Sequence, residues 1–72
     1  MAQLSPAQYD ALERSIAVRQ RIAVYRRGTE YLVVPLALRM RDGREVIESV
    51  HPTTGEKIEF RIDDVDRIEV IA

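Results

Sequence analysis

EYLVVPLALRMRDGREVIESVH, residues 30–51, alternates apolar and polar positions on both sides of one dipeptide, Asp42-Gly43. Asp-Gly tolerates the two positive φ angles of a tight type I′ turn, so the stretch reads as a β-hairpin with Arg41 and Arg44 at its neck. On the outgoing arm Leu32, Val34, Leu36, Leu38 and Met40 fall at every second position and make one apolar face, which assigns Val33 and Ala37 to the other. On the returning arm, residues 44–51, Val46 and Val50 share a face. Pro35 has no N–H to give to a ladder, so the long arm must be an edge strand, or bulged or bent at that point. A strand bent in its middle serves both sheets of a small barrel, which is how a short chain encloses a core.

Outward from this hairpin the same signals repeat. Pro52-Thr53-Thr54-Gly55 is a turn, after which residues 57–62 set Ile58, Phe60 and Ile62 inward and Lys57, Glu59 and Arg61 outward. Asp63-Asp64-Val65 is a short polar connection to a last strand, residues 67–71, with Ile68 and Val70 inward and Ile71 outward. Upstream, residues 21–27 place Ile22 and Val24 on one side and Arg21, Ala23, Tyr25 and Arg27 on the other. Before them Ser5 is a helix N-cap, Pro6 suits the first helical position, Gln8 completes a capping box, and Leu4 and Tyr9 form a hydrophobic staple. Tyr9, Leu12 and Ile16 make the helix's apolar stripe. Arg26-Arg27-Gly28 also suits a helix end, yet Val18, Ile22 and Tyr25 do not share that stripe, so the helix is expected to stop near Arg19. The expected fold is mostly β with one N-terminal α-helix, at about residues 6–19, followed by a small five-stranded barrel within residues 21–71. Residues 1–72 are expected to form a single domain, since a chain of 72 residues is too short for a second core.

The chain has no Cys and one His, so neither a disulfide nor a Cys-based metal site supports it. His51 stands without a nucleophile or orienting acid set beside it, and reads as a turn-capping or exposed residue. The Asp63-Asp64-x-Asp66 cluster lacks the Gly and distal Glu of a calcium loop; its acids are expected to cap a short helical turn and to meet an Arg. No catalytic residue, metal or cofactor is therefore assigned, and the chain is not expected to be an enzyme. The apolar run at residues 31–38 is far shorter than the roughly 20 residues a membrane helix needs, and the N-terminus lacks the pattern of a signal peptide, so a cytoplasmic protein without membrane contact is expected.

Charge is distributed unevenly. Residues 1–41 carry seven Arg against three acids, and residues 42–72 carry three Arg and one Lys against nine acids. Arg21 and Arg27 are expected on the outer face of the first strand, and Arg39 and Arg41 on that of the second, so antiparallel pairing would gather four guanidinium groups on one surface. Tyr25 and Tyr31 lie beside them, with rings able to stack on bases. These six residues are the candidate partner or nucleic-acid contact surface, for a protein, RNA or DNA. The alternative is self-association, in which exposed strand edges join copies of the chain into a dimer or ring.

Ile22-Ala-Val-Tyr-Arg-Arg-Gly, Val34-Pro35-Leu36-Ala37-Leu38, Thr54-Gly55-Glu56 and Phe60-Arg61-Ile62-Asp63-Asp64-Val65 together resemble the WYL domain. That family shows a similar Pro-Leu-x-Leu strand and a Phe-Arg-Leu-Asp-x-Ile element before its last strand; where its naming Trp-Tyr-Leu tripeptide would fall, this chain has Arg44-Glu45-Val46-Ile47. The resemblance implies an Sm/SH3-like barrel of bacterial transcription regulators. Tyr9-Asp10-x-Leu12-Glu13 and Arg61-Ile62-Asp63-Asp64-Val65 are also similar to the Rof family of Rho-binding antitermination proteins, small Sm-like barrels with an N-terminal helix. Both resemblances imply a non-catalytic interaction module in bacterial transcription.

Overall fold

The computed structural model describes residues 4–71. Helix α1, Pro6–Val18, is followed by β1 (Ile22–Arg26), β2 (Thr29–Arg41), β3 (Arg44–Val50), β4 (Lys57–Arg61), a single 3-10 turn (Ile62–Asp64) and β5 (Val65–Val70). The helix starts where its cap dictates: Ser5 is extended and its Oγ accepts from the Gln8 N–H at 3.2 Å, with Pro6 next in line. It stops at Arg19, which takes the left-handed conformation (φ 57°), and the Gln20 N–H returns to the Ser15 carbonyl. Leu12 and Leu4 are buried, and Tyr9 and Ile16 pack against the same core. Tyr9 also donates its hydroxyl to Glu45 Oε1 at 2.8 Å, tying α1 to β3; burial, and then this bond, push its phenol pKa up.

All five strands are antiparallel, in the order β4-β3-β2-β1-β5. The mostly β fold with one N-terminal helix is as expected. The sheet is not closed: β4 and β5 end the order, and no ladder joins them among the described residues. The Asp42-Gly43 turn forms as read, with φ of 52° and 76° and Arg41 opposite Arg44. Arg27-Gly28 makes a second such turn, with φ of 52° and 79°, between Arg26 and Thr29. Arg27 is therefore a turn residue and not, as expected, part of the first strand. Arg21 likewise precedes β1, where its carbonyl accepts from the Ile71 N–H.

Pro35 explains the main departure from the expected core. β2 is no edge strand; it is central, and it changes partner along its length, with residues 29–33 pairing β1 and residues 34–41 pairing β3. The β2–β3 register shifts between Pro35 and Ala37, a bulge that bends the strand and adds one residue to its alternation. Side-chain phase therefore inverts there. Before the bulge the inward positions are Tyr31, Val33 and Pro35, because Val33 lies opposite Ile22 and Tyr31 opposite Val24. After it, Leu38 lies opposite Ile47 and packs against the core. Val33, expected outward, is thus fully buried, while Leu32, expected in the core, is 43% exposed. Val70 is also exposed, and Val34, Leu36, Val50 and Ile58 are only half-buried. Ile47 and Val65 take their places at the centre, around Phe60. Ala23, expected outward, is buried too, opposite Leu32 on β2 and Glu69 on β5.

The two oppositely charged halves of the chain mix on folding. Arg39 pairs with Glu48 at 2.7 Å, Arg41 pairs with Glu48 at 2.9 Å and with Glu59 at 2.8 Å, and Arg27 meets Asp64 at 3.6 Å. Each of these pairs joins a cation from residues 1–41 to an acid from residues 42–72. No helix of the described residues is long and apolar enough to cross a membrane.

Candidate functional site

The β1–β2 turn, the end of β4 and the 3-10 turn meet at one mouth of the fold. Arg26 closes β1 opposite Thr29, and in the β1–β5 ladder the register shifts between Tyr25 and Arg26, so that Arg26 lies opposite Val65. Asp63 and Asp64 lie within the 3-10 turn between β4 and β5 and do not cap it as expected, since Arg61 holds the N-cap position with no side-chain hydrogen bond; each does meet an arginine, as expected: Arg44 reaches Asp63 at 3.2 Å and Arg27 reaches Asp64. A cleft of about 400 Å³ lies between Arg26, Arg27, Thr29, Tyr31 and Asp64. A second, of about 310 Å³, is bordered by Arg26, Arg41, Asp42, Val46, Glu59, Arg61 and Asp64. Arg26 and Asp64 stand in the wall of both.

The residues expected to form one surface are divided by this arrangement. Arg27 and Arg41 border the clefts, while Arg21 and Arg39 do not. The expected gathering of four guanidinium groups on one strand face does not occur, because β1 pairs only with residues 29–33 of β2, whereas Arg39 and Arg41 lie farther along, opposite β3. Arg39 and Arg41 are instead paired within the chain with the Glu48 and Glu59 carboxylates. The hydrogen bond from Arg39, followed by that from Arg41, holds the Glu48 pKa below the usual carboxylate range, and Glu48 in turn raises that of Arg41.

Neither tyrosine offers a free ring. Tyr31 is half-buried, edge-on to Phe60 at 5.3 Å, with the Arg26 guanidinium 4.9 Å from its centroid. The Tyr25 ring is covered by the Arg67 guanidinium at 3.9 Å; its hydroxyl donates to Glu30 at 3.0 Å, and that bond leads the upward push on its pKa. Arg67 is itself held by Glu69. His51 caps its turn: its Nδ1 accepts from the backbone N–H groups of Thr53 and Thr54 at 3.1 and 3.3 Å. Among the described residues no three His, Asp or Glu side chains are grouped as a metal site requires.

Sequence reading missed Arg61 as a site residue and left Arg26 out of the contact surface. Alternation placed Arg61 outward on its strand, and the outward set of the first strand, Arg21, Ala23, Tyr25 and Arg27, passed over Arg26. One signal was available for Arg26: it follows Ile22 and Val24 at even spacing, on the face that becomes the core side of β1.

The Glu48 bridge predicts a modest pH effect. The folded pKa of Glu48 lies below its unfolded value, so the stabilisation is present above the ordinary carboxylate value of about 4.3 and is lost as the pH falls through the folded value. Glu48→Gln is expected to lower the melting temperature slightly at pH 7, and the gap to the parent is expected to close on acidification. A gap that widens in acid contradicts the assignment.

No family model matches the chain, and no curated protein matches it. Among solved structures it is similar to the proteasome accessory factor B/C (PafBC) of Arthrobacter aurescens, with a TM-score of 0.73 at 23% identity. The match covers 97% of this chain and 12% of that one, so the likeness concerns one segment of a much longer protein. At that identity the likeness shows the fold alone, in agreement with the WYL-like fold that the sequence resemblance implies.

Proposed function

We propose, with the WYL-like fold as premise, that this chain is a non-catalytic interaction module of bacterial transcription regulation, engaging an anionic protein or nucleic-acid partner at its arginine-lined mouth. One observation carries the reading: Arg26, Arg27, Arg41 and Arg61 converge on two clefts that share a wall. Guanidinium forks suit bidentate contact with carboxylate and phosphate oxygens, and in this mouth they come from three strands and a turn, which fixes their spacing. The resemblance to the WYL domain supplies the link to transcription. At 23% identity the likeness to PafBC bears on fold, and what PafBC does as a whole protein enters here only as context.

The test contrasts two sets of arginines. Binding of single-stranded RNA and of an acidic peptide is followed by anisotropy across a salt series. Replacing Arg26, Arg27 and Arg61 together by Gln is expected to abolish partner binding, or to reduce the salt slope by about one unit per lost phosphate contact. Replacing Arg21 and Arg39 is expected to leave it unchanged. The reverse pattern would return the site to the strand face.

A second reading, self-association, is favoured by the open edges of β4 and β5 and by the exposure of Val70 on the latter and of Val18 beside it across a groove. Light scattering separates the two: a salt-insensitive oligomer that ignores RNA and peptide supports the second.

A further inference from the structure

Arg26 stands apart from the other arginines of the mouth. It follows Ile22 and Val24 on the core side of β1; the residue is half-buried, and its guanidinium lies 5.2 Å from the Phe60 ring centroid and 4.9 Å from that of Tyr31. Its Nη2 donates to the Tyr31 hydroxyl at 3.1 Å, which leaves most of its five N–H donors for other acceptors. The neighbouring cations are engaged: Arg27 by Asp64, Arg41 by Glu48 and Glu59, and Arg44 by Asp63. Among the described residues, no carboxylate lies within ion-pair distance of Arg26 or of Arg61. A cation drawn onto aromatic rings loses hydration and ordinarily has a counter-charge. Here it has none among the described residues, and Arg61, likewise without one, borders the same 310 Å³ cleft.

The cleft also selects against extended polyanions. Asp42, Glu59 and Asp64 border it too; Glu59 is paired with Arg41 and Asp64 with Arg27, so the positive charge left over is that of Arg26 and Arg61 against Asp42, enough for one anionic group and not for a run of phosphates. The rings of Tyr25 and Tyr31 are covered, which removes the stacking platforms a single strand uses. A lone carboxylate offers two oxygens, which one guanidinium fork satisfies. A phosphomonoester offers three oxygens and nearly two charges, matching two unpaired forks.

We propose that the cleft between Arg26 and Arg61 is a binding site for a single phosphomonoester dianion, with Arg26 held in place by the Phe60 and Tyr31 rings and Arg61 reaching it from β4. This deepens the reading of the mouth as the partner site and rests on it. The group belongs to a small phosphorylated molecule, to the end of a nucleic-acid strand or to a phosphorylated side chain, and the probes below distinguish these sources.

The test titrates the whole chain with inorganic phosphate at constant ionic strength, read by amide chemical shifts. Saturable binding is expected, with the largest shifts at Arg26, Arg61 and Asp64, weakening as acid converts the probe to its monoanion. Arg61→Ala removes an exposed side chain, and Arg26→Lys keeps the charge but loses the fork; each is expected to weaken binding about tenfold or more. A melting curve for each variant shows that it folds. A short oligonucleotide with and without a 5′-phosphate, and a peptide with and without phosphoserine, then identify the source: a gain confined to one phosphorylated probe names it, and equal gains on both point to the free group. Phosphate binding that is unaffected in both folded variants, or no stronger than chloride binding, overturns the proposal. If the variants weaken RNA or peptide binding while phosphate never saturates, the mouth remains the partner site and the dianion site falls; if neither property responds, both readings fall.

Discussion

Phe60→Ala is expected to cost about 3–5 kcal/mol, comparable with much of the stability of a chain this short, which is roughly 4–11 kcal/mol at the usual range per residue. Phe60 is the largest fully buried side chain. It lies opposite Ile47 in the β3–β4 ladder and meets Tyr31 edge-on, so truncation opens a cavity bordered by three strands. It also removes one of the two rings beneath Arg26, so the mouth is expected to lose its geometry with the core. Urea unfolding followed by circular dichroism measures the change, with the slope checked to establish that a two-state description holds. A variant with an unchanged midpoint would remove Phe60 from the centre of the core.

Val33→Asp and Leu32→Asp are expected to give opposite results although the residues are adjacent. Val33 is fully buried opposite Ile22, and an unpaired carboxylate there is expected to cost on the order of 3–5 kcal/mol, enough to leave much of the chain unfolded. Leu32 is 43% exposed, and its replacement is expected to shift the melting temperature only slightly. Simple alternation through residues 30–41 predicts the reverse, with Leu32 the sensitive site. The pair of variants therefore tests the phase inversion at Pro35 directly, and thermal melts of the two suffice.

What was legible in the sequence was local. Ser5, Pro6 and Gln8 set the helix start because a cap satisfies amides within one turn, and Asp42-Gly43 set its hairpin because both residues accept positive φ. The turn at His51 was legible for the same reason, since its hydrogen bonds stay within five residues. Pro35 announced an irregularity in β2 but not its kind: a missing N–H is equally consistent with an edge, a bend or a bulge. Arg27-Gly28 was ambiguous on similar grounds, because a left-handed glycine ends helices as readily as it turns hairpins.

Tertiary structure decided the rest. Which face of β2 is inward depends on its exchange of partners, β1 before Pro35 and β3 after it, and this register is set by side chains far along the chain, Ile22 on one side and Ser49 on the other. The same holds for the mouth. Arg26 and Arg61 border one cleft because β1 lies next to the β5 edge, β4 is the opposite edge and the 3-10 turn spans the gap between β4 and β5. The charged halves offered no warning, since Coulomb attraction let Glu48, Glu59 and Asp64 claim the arginines that composition had made conspicuous. Residue types and spacing determined the elements, their turns and the supply of guanidinium groups. Only the packing of distant strands determined which of those groups were neutralised within the chain and which were left facing a cleft, because ion pairing acts across space and carries no signature in sequence order.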